Sequence, residues 1–87
     1  MEKAIVVNRQ VLTSRPQAAL MVHSVNGYTV CVIPAAFSVV AGQELYRPEH
    51  YRGVWRVSGS DDLFPANITG SMTLDEAERA FTQILSL

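Results

Sequence analysis

The chain has 87 residues, 48% of them hydrophobic, and its 7 basic and 8 acidic residues leave a formal net charge of -1. This length predicts one small domain, residues 1–87, and the apolar content excludes a disordered chain. The near-neutral charge excludes a bulk attraction to nucleic acid or acidic lipid, so any binding of that kind must be local. The longest apolar stretch is interrupted by Asn26-Gly27 and Pro34, which argues against a membrane span.

The first predicted strand runs from Lys3 to Leu12. Its alternation places Ile5, Val7 and Val11 on one face and the following residues on the other: Ala4, Val6, Asn8, Gln10 and Leu12. Residues 13–17 have turn composition and include a proline, so we expect the first strand to fold back onto a second.

The second and third predicted strands form a hairpin, because two apolar runs flank Asn26-Gly27, the strongest short hairpin signal. A type I′ turn at that dipeptide predicts the pairs Val25 with Tyr28, His23 with Val30, and Met21 with Val32. One face then carries Ala19, Met21, His23, Val25, Tyr28, Val30 and Val32. The other face carries Leu20, Val22, Ser24, Thr29, Cys31 and Ile33. Both faces are apolar away from the turn, so we expect the hairpin to be covered on both sides.

The middle of the chain is less regular. Pro34 and Gly42 bracket a segment for which we predict one or two helical turns rather than a short edge strand. Residues 43–53 show no clean period and are predicted to be a loop. Residues 54–57 are the fourth predicted strand, and residues 63–69 are a possible fifth at an edge because of Pro65.

The C-terminal segment has the clearest signal. Thr73 and Glu76 form a capping box, which predicts a helix that begins at Leu74. Its predicted apolar stripe consists of Leu74, Ala77, Ala80, Phe81, Ile84 and Leu85. The whole pattern predicts an α+β domain: an antiparallel sheet of four or five strands centred on the Asn26-Gly27 hairpin, with this amphipathic helix packed on one face.

The opposite sheet face raises the question of what covers it. Soluble monomers rarely leave a contiguous apolar patch in water, so either the segment from Phe37 to Val40 folds over this face or a second subunit covers it. That segment is short, with only Phe37, Val39 and Val40 as large apolar residues. We therefore expect self-association as a two-fold dimer in which this patch meets itself.

Residues 46–56 form the one dense cluster of residues common in binding sites, since three arginines and a histidine alternate there with three aromatics. Arginine forks bind carboxylate or phosphate, and exposed aromatics stack on flat ligands or anchor protein partners. The predicted partner-binding residues are Tyr46, Arg47, His50, Tyr51, Arg52, Trp55 and Arg56. The alternative is that the aromatics are core residues and the arginines are solvated or paired with Glu44, Glu49, Asp61 and Asp62.

No motif supports catalysis, a metal site or a cofactor. His23 and His50 lack a metal-ligand spacing, so His23 is predicted to be a structural histidine and His50 a surface one. Cys31 is predicted to be a small buried hydrophobe rather than a nucleophile, and Asp61-Asp62 a turn rather than a cation site. An enzyme would need His50, Glu49 and Arg47 to converge in a pocket.

These observations predict a small non-catalytic protein-interaction module that binds a protein, itself included. The less favoured alternative is an anion- or nucleic-acid-binding protein that uses residues 46–56. With Cys31 as its single cysteine the chain can form no internal disulfide, and residues 1–3 lack a signal-peptide pattern. We therefore expect a cytoplasmic protein.

Overall fold

A computed structural model describes residues 2–47, 53–59, 63–66, 68 and 70–86. The elements are β1 (Glu2–Val11), β2 (Gln17–Ser24), β3 (Gly27–Pro34), β4 (Glu44–Arg47), β5 (Val54–Val57), β6 (Leu63–Pro65) and α1 (Leu74–Leu85). The strands form one six-stranded sheet in the order β3-β2-β1-β4-β5-β6, and every pairing is antiparallel. The predicted α+β class, an antiparallel sheet with a C-terminal helix on one face, is confirmed.

The strand β4 lies where the sequence predicted a loop, and it brings the sheet to six strands. Its residues Glu44–Arg47 pair with Glu2–Ile5 of β1. Leu45 is fully buried, so β4 is held by the core and by its neighbours in the sheet. Four residues are too few to display a period of their own, which is why the local pattern did not reveal this strand.

The hairpin is present, but its register differs from the predicted one. Ser24 pairs with Gly27 and His23 with Tyr28, so Val25 and Asn26 occupy the turn and the predicted pairs are wrong. The partner of each β2 residue moves by two positions. Because side chains alternate with a period of two, this shift leaves the predicted faces of the hairpin unchanged.

A β-bulge in β1 exchanges the faces of its second half. The pairing with β2 shifts between Val6 and Asn8. As a result Val6 and Leu12 lie in different cores, contrary to the predicted single face, while Arg9 joins the face of Val6. An extra residue in one strand reverses the alternation beyond it, and no local signal in β1 announces this.

Two apolar cores lie on the two faces of the sheet. The first, on what we call the core face, contains Ala4, Val6, Ala18, Leu20, Val22, Ile33, Val39, Leu45, Trp55 and Ala66. The second, on the helix face, contains Leu12, Ala19, Met21, Ala77 and Phe81. The helix packs on β2 and β3, so the hairpin is covered on both sides.

Residues 35–43, which we call the crossing segment, cover the core face. They contain turns and irregular backbone rather than the predicted helical turns. Val39 is buried in the first core and Phe37 packs against it. The Arg9 guanidinium donates hydrogen bonds to the carbonyls of Ala35 at 3.1 Å and Phe37 at 3.2 Å. This face is therefore filled from within the chain, which removes the reason for which the two-fold dimer was expected.

Residues 70–72, which precede the helix, lie beside the start of the free edge of β3. Tyr28 and Met72 exchange both backbone hydrogen bonds, at 2.8 and 2.9 Å. The Gly70 N–H donates to the Thr29 hydroxyl, and Ile68 packs against the first core. The sheet curls so that residues 70–72 meet the first residues of β3, where the strand edge would otherwise expose unpaired backbone groups.

The helix α1 begins at the predicted residue and has the predicted capping box. The Thr73 hydroxyl accepts from the Glu76 N–H, and the Glu76 carboxylate accepts from the Thr73 N–H. Leu74 and Leu85, predicted to belong to the buried stripe, are instead exposed. No helix among the described residues combines the length and apolar character needed to cross a membrane.

Candidate interaction surface

The structure describes four of the seven predicted partner-binding residues: Tyr46, Arg47, Trp55 and Arg56. The other three, His50, Tyr51 and Arg52, lie outside the described residues. Trp55 is only 2% exposed and belongs to the first core, so the core interpretation of this tryptophan is the correct one. A large apolar ring that faces Leu45 and its neighbours in the core stabilises the fold and offers no surface to a partner.

Strand alternation separates the remaining three residues. Arg47 pairs with Glu2 across the β1–β4 ladder and also forms an ion pair with it. Tyr46 lies on the opposite face of β4, where Arg56 of β5 is its cross-strand neighbour. The described part of the predicted cluster is therefore not one surface, and only Tyr46 and Arg56 face the same way.

Tyr46 and Arg56 are the middle of a row that crosses four strands. Lys3 of β1 pairs with Tyr46 of β4. Tyr46 pairs with Arg56 of β5, and Arg56 pairs with Leu63 of β6. Directly opposed residues of antiparallel strands share a face, so these four side chains form a continuous line on the helix face of the sheet.

A second row runs beside the first. Tyr28, His23, Ile5 and Glu44 are successive cross-strand partners on β3, β2, β1 and β4. The His23 ring stacks on Tyr28, with the ring centroids 4.3 Å apart and the planes at 16°. His23 was predicted to be a structural histidine; it lies at the surface, where the stacking on Tyr28 is its structural contact.

The helix leaves the β1, β4, β5 and β6 part of this face uncovered, because it packs on β2 and β3. Two large apolar side chains there are in contact with water: Ile5 is 43% exposed and Leu63 is 41% exposed. We call this surface the open sheet face and define it by Lys3, Ile5, Glu44, Tyr46, Arg56 and Leu63, together with the exposed His23 of β2 at its border.

Charges of both signs lie on the open sheet face. Lys3 Nζ and Glu44 Oε1 are 3.7 Å apart, with side chains 65% and 44% exposed. Such an exposed pair contributes little to stability, so either group can exchange its partner for a group on another molecule. The Arg56 guanidinium lies 4.6 Å from the centre of the Tyr46 ring, a cation–π contact that holds both side chains in place.

The remaining chemical candidates do not form a site in the part of the chain that the structure describes. Burial raises the pKa of the Cys31 thiol from 9.0 to about 11, so the thiol is protonated at neutral pH and is a poor nucleophile. Cys31 is half-buried against the first core. Within the described residues, no three metal-ligating side chains come together. Glu49, His50 and Asp61-Asp62 lie outside those residues, and Arg47 faces Glu2.

Sequence reasoning missed five members of the open sheet face: Lys3, Ile5, His23, Glu44 and Leu63. The alternation of β1 placed Ile5 correctly on the face opposite Ala4 and Val6, and this was the one sequence signal that pointed to a member of the face. The neighbour that brings Ile5 and Lys3 beside Tyr46 is β4, which was predicted to be a loop. Without β4, the two halves of the row stay unconnected.

Comparison with known proteins adds no relative. No family model matches the chain, and neither a curated protein nor a solved structure matches it significantly. The arguments for function therefore rest on the open sheet face.

Proposed function

We propose that this chain is a small non-catalytic interaction module that binds a protein partner through the open sheet face. The observation that carries the proposal is the row Lys3–Tyr46–Arg56–Leu63, which crosses four neighbouring strands and lies beside the part of the sheet on which the described helix α1 packs. Tyrosine and arginine are enriched at protein interfaces, and exposed apolar side chains beside them supply the area that is removed from water.

The mixture of charges favours a protein over nucleic acid. Glu44 lies within the face and neutralises Lys3, whereas a surface for a phosphate backbone is uniformly basic. Ile5 and Leu63 would contribute nothing to phosphate binding. The anion-binding alternative is supported by a narrower observation: Lys3 and Arg56 flank the Tyr46 ring, on which a base could stack.

The shape of the face favours binding over catalysis. Its residues are spread across five strands, and catalysis needs acid and base groups that converge on one reacting atom. A depression of about 400 Å³ on another part of the surface has the described lining Val32, Pro34, Gly53, Pro65 and Ala66. These side chains supply neither an acid nor a base. We place the protein in the cytoplasm, an assignment supported by its single cysteine.

A photo-crosslinking experiment tests the proposal. Benzoylphenylalanine replaces Leu63 in one variant and Val11 in a control, since Val11 is also an exposed strand residue but lies on the core side of the sheet. We expect a protein adduct from Leu63 and none from Val11 in the cells that make the protein. The additional change Tyr46→Ala should remove that adduct.

Two results would contradict the proposal. Equal adducts from both positions would show that the open sheet face has no special affinity. Tight binding of fluorescent single-stranded oligonucleotides, lost on Arg56→Gln, would instead favour the nucleic-acid alternative.

A further inference from the structure

The tip of the β2–β3 hairpin carries the dipeptide Asn26-Gly27, and the Asn26 side chain there is exposed. The Ser24 hydroxyl donates a hydrogen bond to the Gly27 carbonyl at 3.2 Å. The Thr29 hydroxyl accepts one from the Gly70 N–H. The Asn26 amide takes part in neither bond, so its Cγ is open to attack from a neighbouring group.

An asparagine that precedes a glycine is prone to react with its own backbone. The peptide nitrogen of the next residue attacks the side-chain Cγ and closes a cyclic imide, and a side chain on that next residue obstructs the approach. Gly27 has no side chain and has the widest backbone freedom of any residue type. The other two asparagines precede Arg9 and Ile68, whose side chains are bulky. Asn26 is therefore the reactive asparagine of this chain.

The folded hairpin restrains the attacking nitrogen. Tyr28 exchanges both backbone hydrogen bonds with Met72, so its N–H and C=O point away from β2. The alternation of an antiparallel ladder then directs the Gly27 N–H toward Ser24, its partner on β2. Ring closure requires this nitrogen to leave its hydrogen bond, so the reaction proceeds when the tip of the hairpin opens locally.

We propose that Asn26 is a modification site, at which the chain deamidates through a cyclic imide and thereby loses the contact between residues 70–72 and the start of β3. The Gly27 nitrogen forms a bond with the Asn26 Cγ, and the bond between Cγ and the amide nitrogen breaks. The amide leaves as ammonia and takes with it the proton of the Gly27 N–H. Water then opens the imide at either carbonyl, which yields aspartate or isoaspartate with no change of oxidation state.

Only the isoaspartate product changes the main chain, which then passes through the former side chain and gains a methylene. The turn around it has no room for the added atom: a Cβ on Gly70 would lie 3.3 Å from the Asn26 Cβ, and a Cβ on Gly27 would lie 2.6 Å from the Gly70 carbonyl oxygen. The lengthened turn therefore displaces Gly27 from Gly70 and separates Tyr28 from Met72. Aspartate keeps the original main chain and places its carboxylate where an exposed amide was, so it should leave this contact intact.

The contact of residues 70–72 with β3 also controls the rate, because it holds the tip closed. Thr29 is 5% exposed, and its hydroxyl is the acceptor for the Gly70 N–H. Removal of this acceptor leaves a buried N–H without a partner, which should raise the open fraction at least about fivefold. Since the loss of ammonia is irreversible, each opening of the tip exposes the chain to a permanent change.

Peptide mapping of aged protein tests the site. The folded wild type is incubated in mildly alkaline buffer, and chromatography with mass spectrometry follows Asn8, Asn26 and Asn67 separately, so that the chain supplies its own controls. We expect the amide to be lost at Asn26 while the other two are retained. An Asn26 that stays an amide throughout, or that converts no faster than the other two, would overturn the inference.

A variant at position 29 tests the control of the rate. Thr29→Val keeps the shape of the side chain and removes the acceptor, and Thr13→Val, in an exposed turn, is the matched control. Asn26 should convert at least about fivefold faster in Thr29→Val and at the wild-type rate in the control. If urea melts show Thr29→Val to be unfolded, Ser24→Ala takes its place, since it removes the hydrogen bond to the Gly27 carbonyl. An unchanged rate in the folded variant would overturn the link between the contact and the reaction.

Two forms of the product separate the longer main chain from the added charge. Chemical synthesis gives the 87-residue chain with isoaspartate at position 26, and Asn26→Asp places the same charge on the original main chain. The isoaspartate chain should lose amide-exchange protection at Tyr28 and Met72 and have a lower urea midpoint, whereas Asn26→Asp should match the wild type in both. An isoaspartate chain that keeps this protection, or an Asn26→Asp variant that loses it as well, would overturn the loss of the contact through the main chain.

Discussion

Gly27 and Gly70 pack backbone against backbone: a Cβ atom on Gly27 would lie 2.6 Å from the Gly70 carbonyl oxygen and 2.9 Å from that of Met72. Gly27 also has φ +139°, a conformation that side-chain-bearing residues rarely adopt. Position 27 therefore needs a glycine because the backbone of residues 70–72 lies too close for a side chain. Gly27 lies at the start of β3 rather than inside the turn.

This relationship predicts a position-dependent cost for alanine. Gly27→Ala should destabilise the domain by more than about 2 kcal/mol, because the strain at φ +139° is joined by a collision with two carbonyl oxygens. Gly42→Ala is the control: φ is +93° there and no atom lies within 4 Å of the added group, so only the strain remains. Urea melts give both values. Equal losses would show that Gly70 and Met72 do not pack closely on Gly27.

Arg9 should hold the crossing segment over the core face. Arg9→Met keeps the apolar stem but removes the hydrogen bonds to Ala35 and Phe37, which should cost about 1.5–3 kcal/mol. Hydrogen exchange of residues 35–43 should become faster in the variant. Arg15→Met, in an exposed turn, is the control and should change neither quantity. Unchanged exchange in Arg9→Met would show that Val39 alone holds the segment.

Cys31 should make stability depend on pH on the alkaline side. The unfolded thiol has a pKa near 9.0 and the folded one about 11, so between these values the unfolded chain loses a proton that the folded chain keeps. This contribution to stability is complete below pH 9 and is lost as the pH rises toward 11. Cys31→Val should show a shallower decline of the urea midpoint over that interval. Identical declines would show that the thiol is not desolvated in the folded protein.

The capping box should contribute to stability in two measurable ways: its loss in Thr73→Ala should destabilise the domain, and so should protonation of Glu76 in acid. Thr73→Ala should cost about 1 kcal/mol, whereas Thr82→Ala in the middle of the same helix should be close to neutral. The Thr73 backbone N–H and hydroxyl lower the pKa of Glu76 below 4.5. Its contribution to stability is therefore present above pH 4.5 and is lost as the pH falls through the lowered pKa.

A comparison of urea melts of the wild type and Glu76→Gln between pH 6 and pH 3 measures this acid dependence. The variant should lose less stability over the interval, because its amide does not titrate. A wild type and variant with parallel curves would show that the carboxylate does not cap the helix in solution.

Local sequence patterns predicted only part of the open sheet face. The alternation of β1 placed Ile5 correctly, and the composition of residues 46–56 drew attention to Tyr46 and Arg56. Neither pattern contained the strand pairing that joins them, because β4 is only four residues long and is recognised by its pairing with Glu2–Ile5. The pairing of β4 with β5 places Arg56 beside Tyr46 on one face, whereas its neighbour Trp55 lies in the core on the other face.

The sequence by itself determined the features that depend on neighbouring residues: the capped start of α1 at Thr73, the existence of the hairpin, and the division of its side chains between two faces. The tertiary structure decided the hairpin register, the bulge after Val6, and the path of residues 35–43 across the core. The physical reason is that each of these depends on a distant group, Gly70 for Gly27 and the carbonyls of Ala35 and Phe37 for Arg9. Contacts between residues far apart in the chain leave no period in the sequence around either partner.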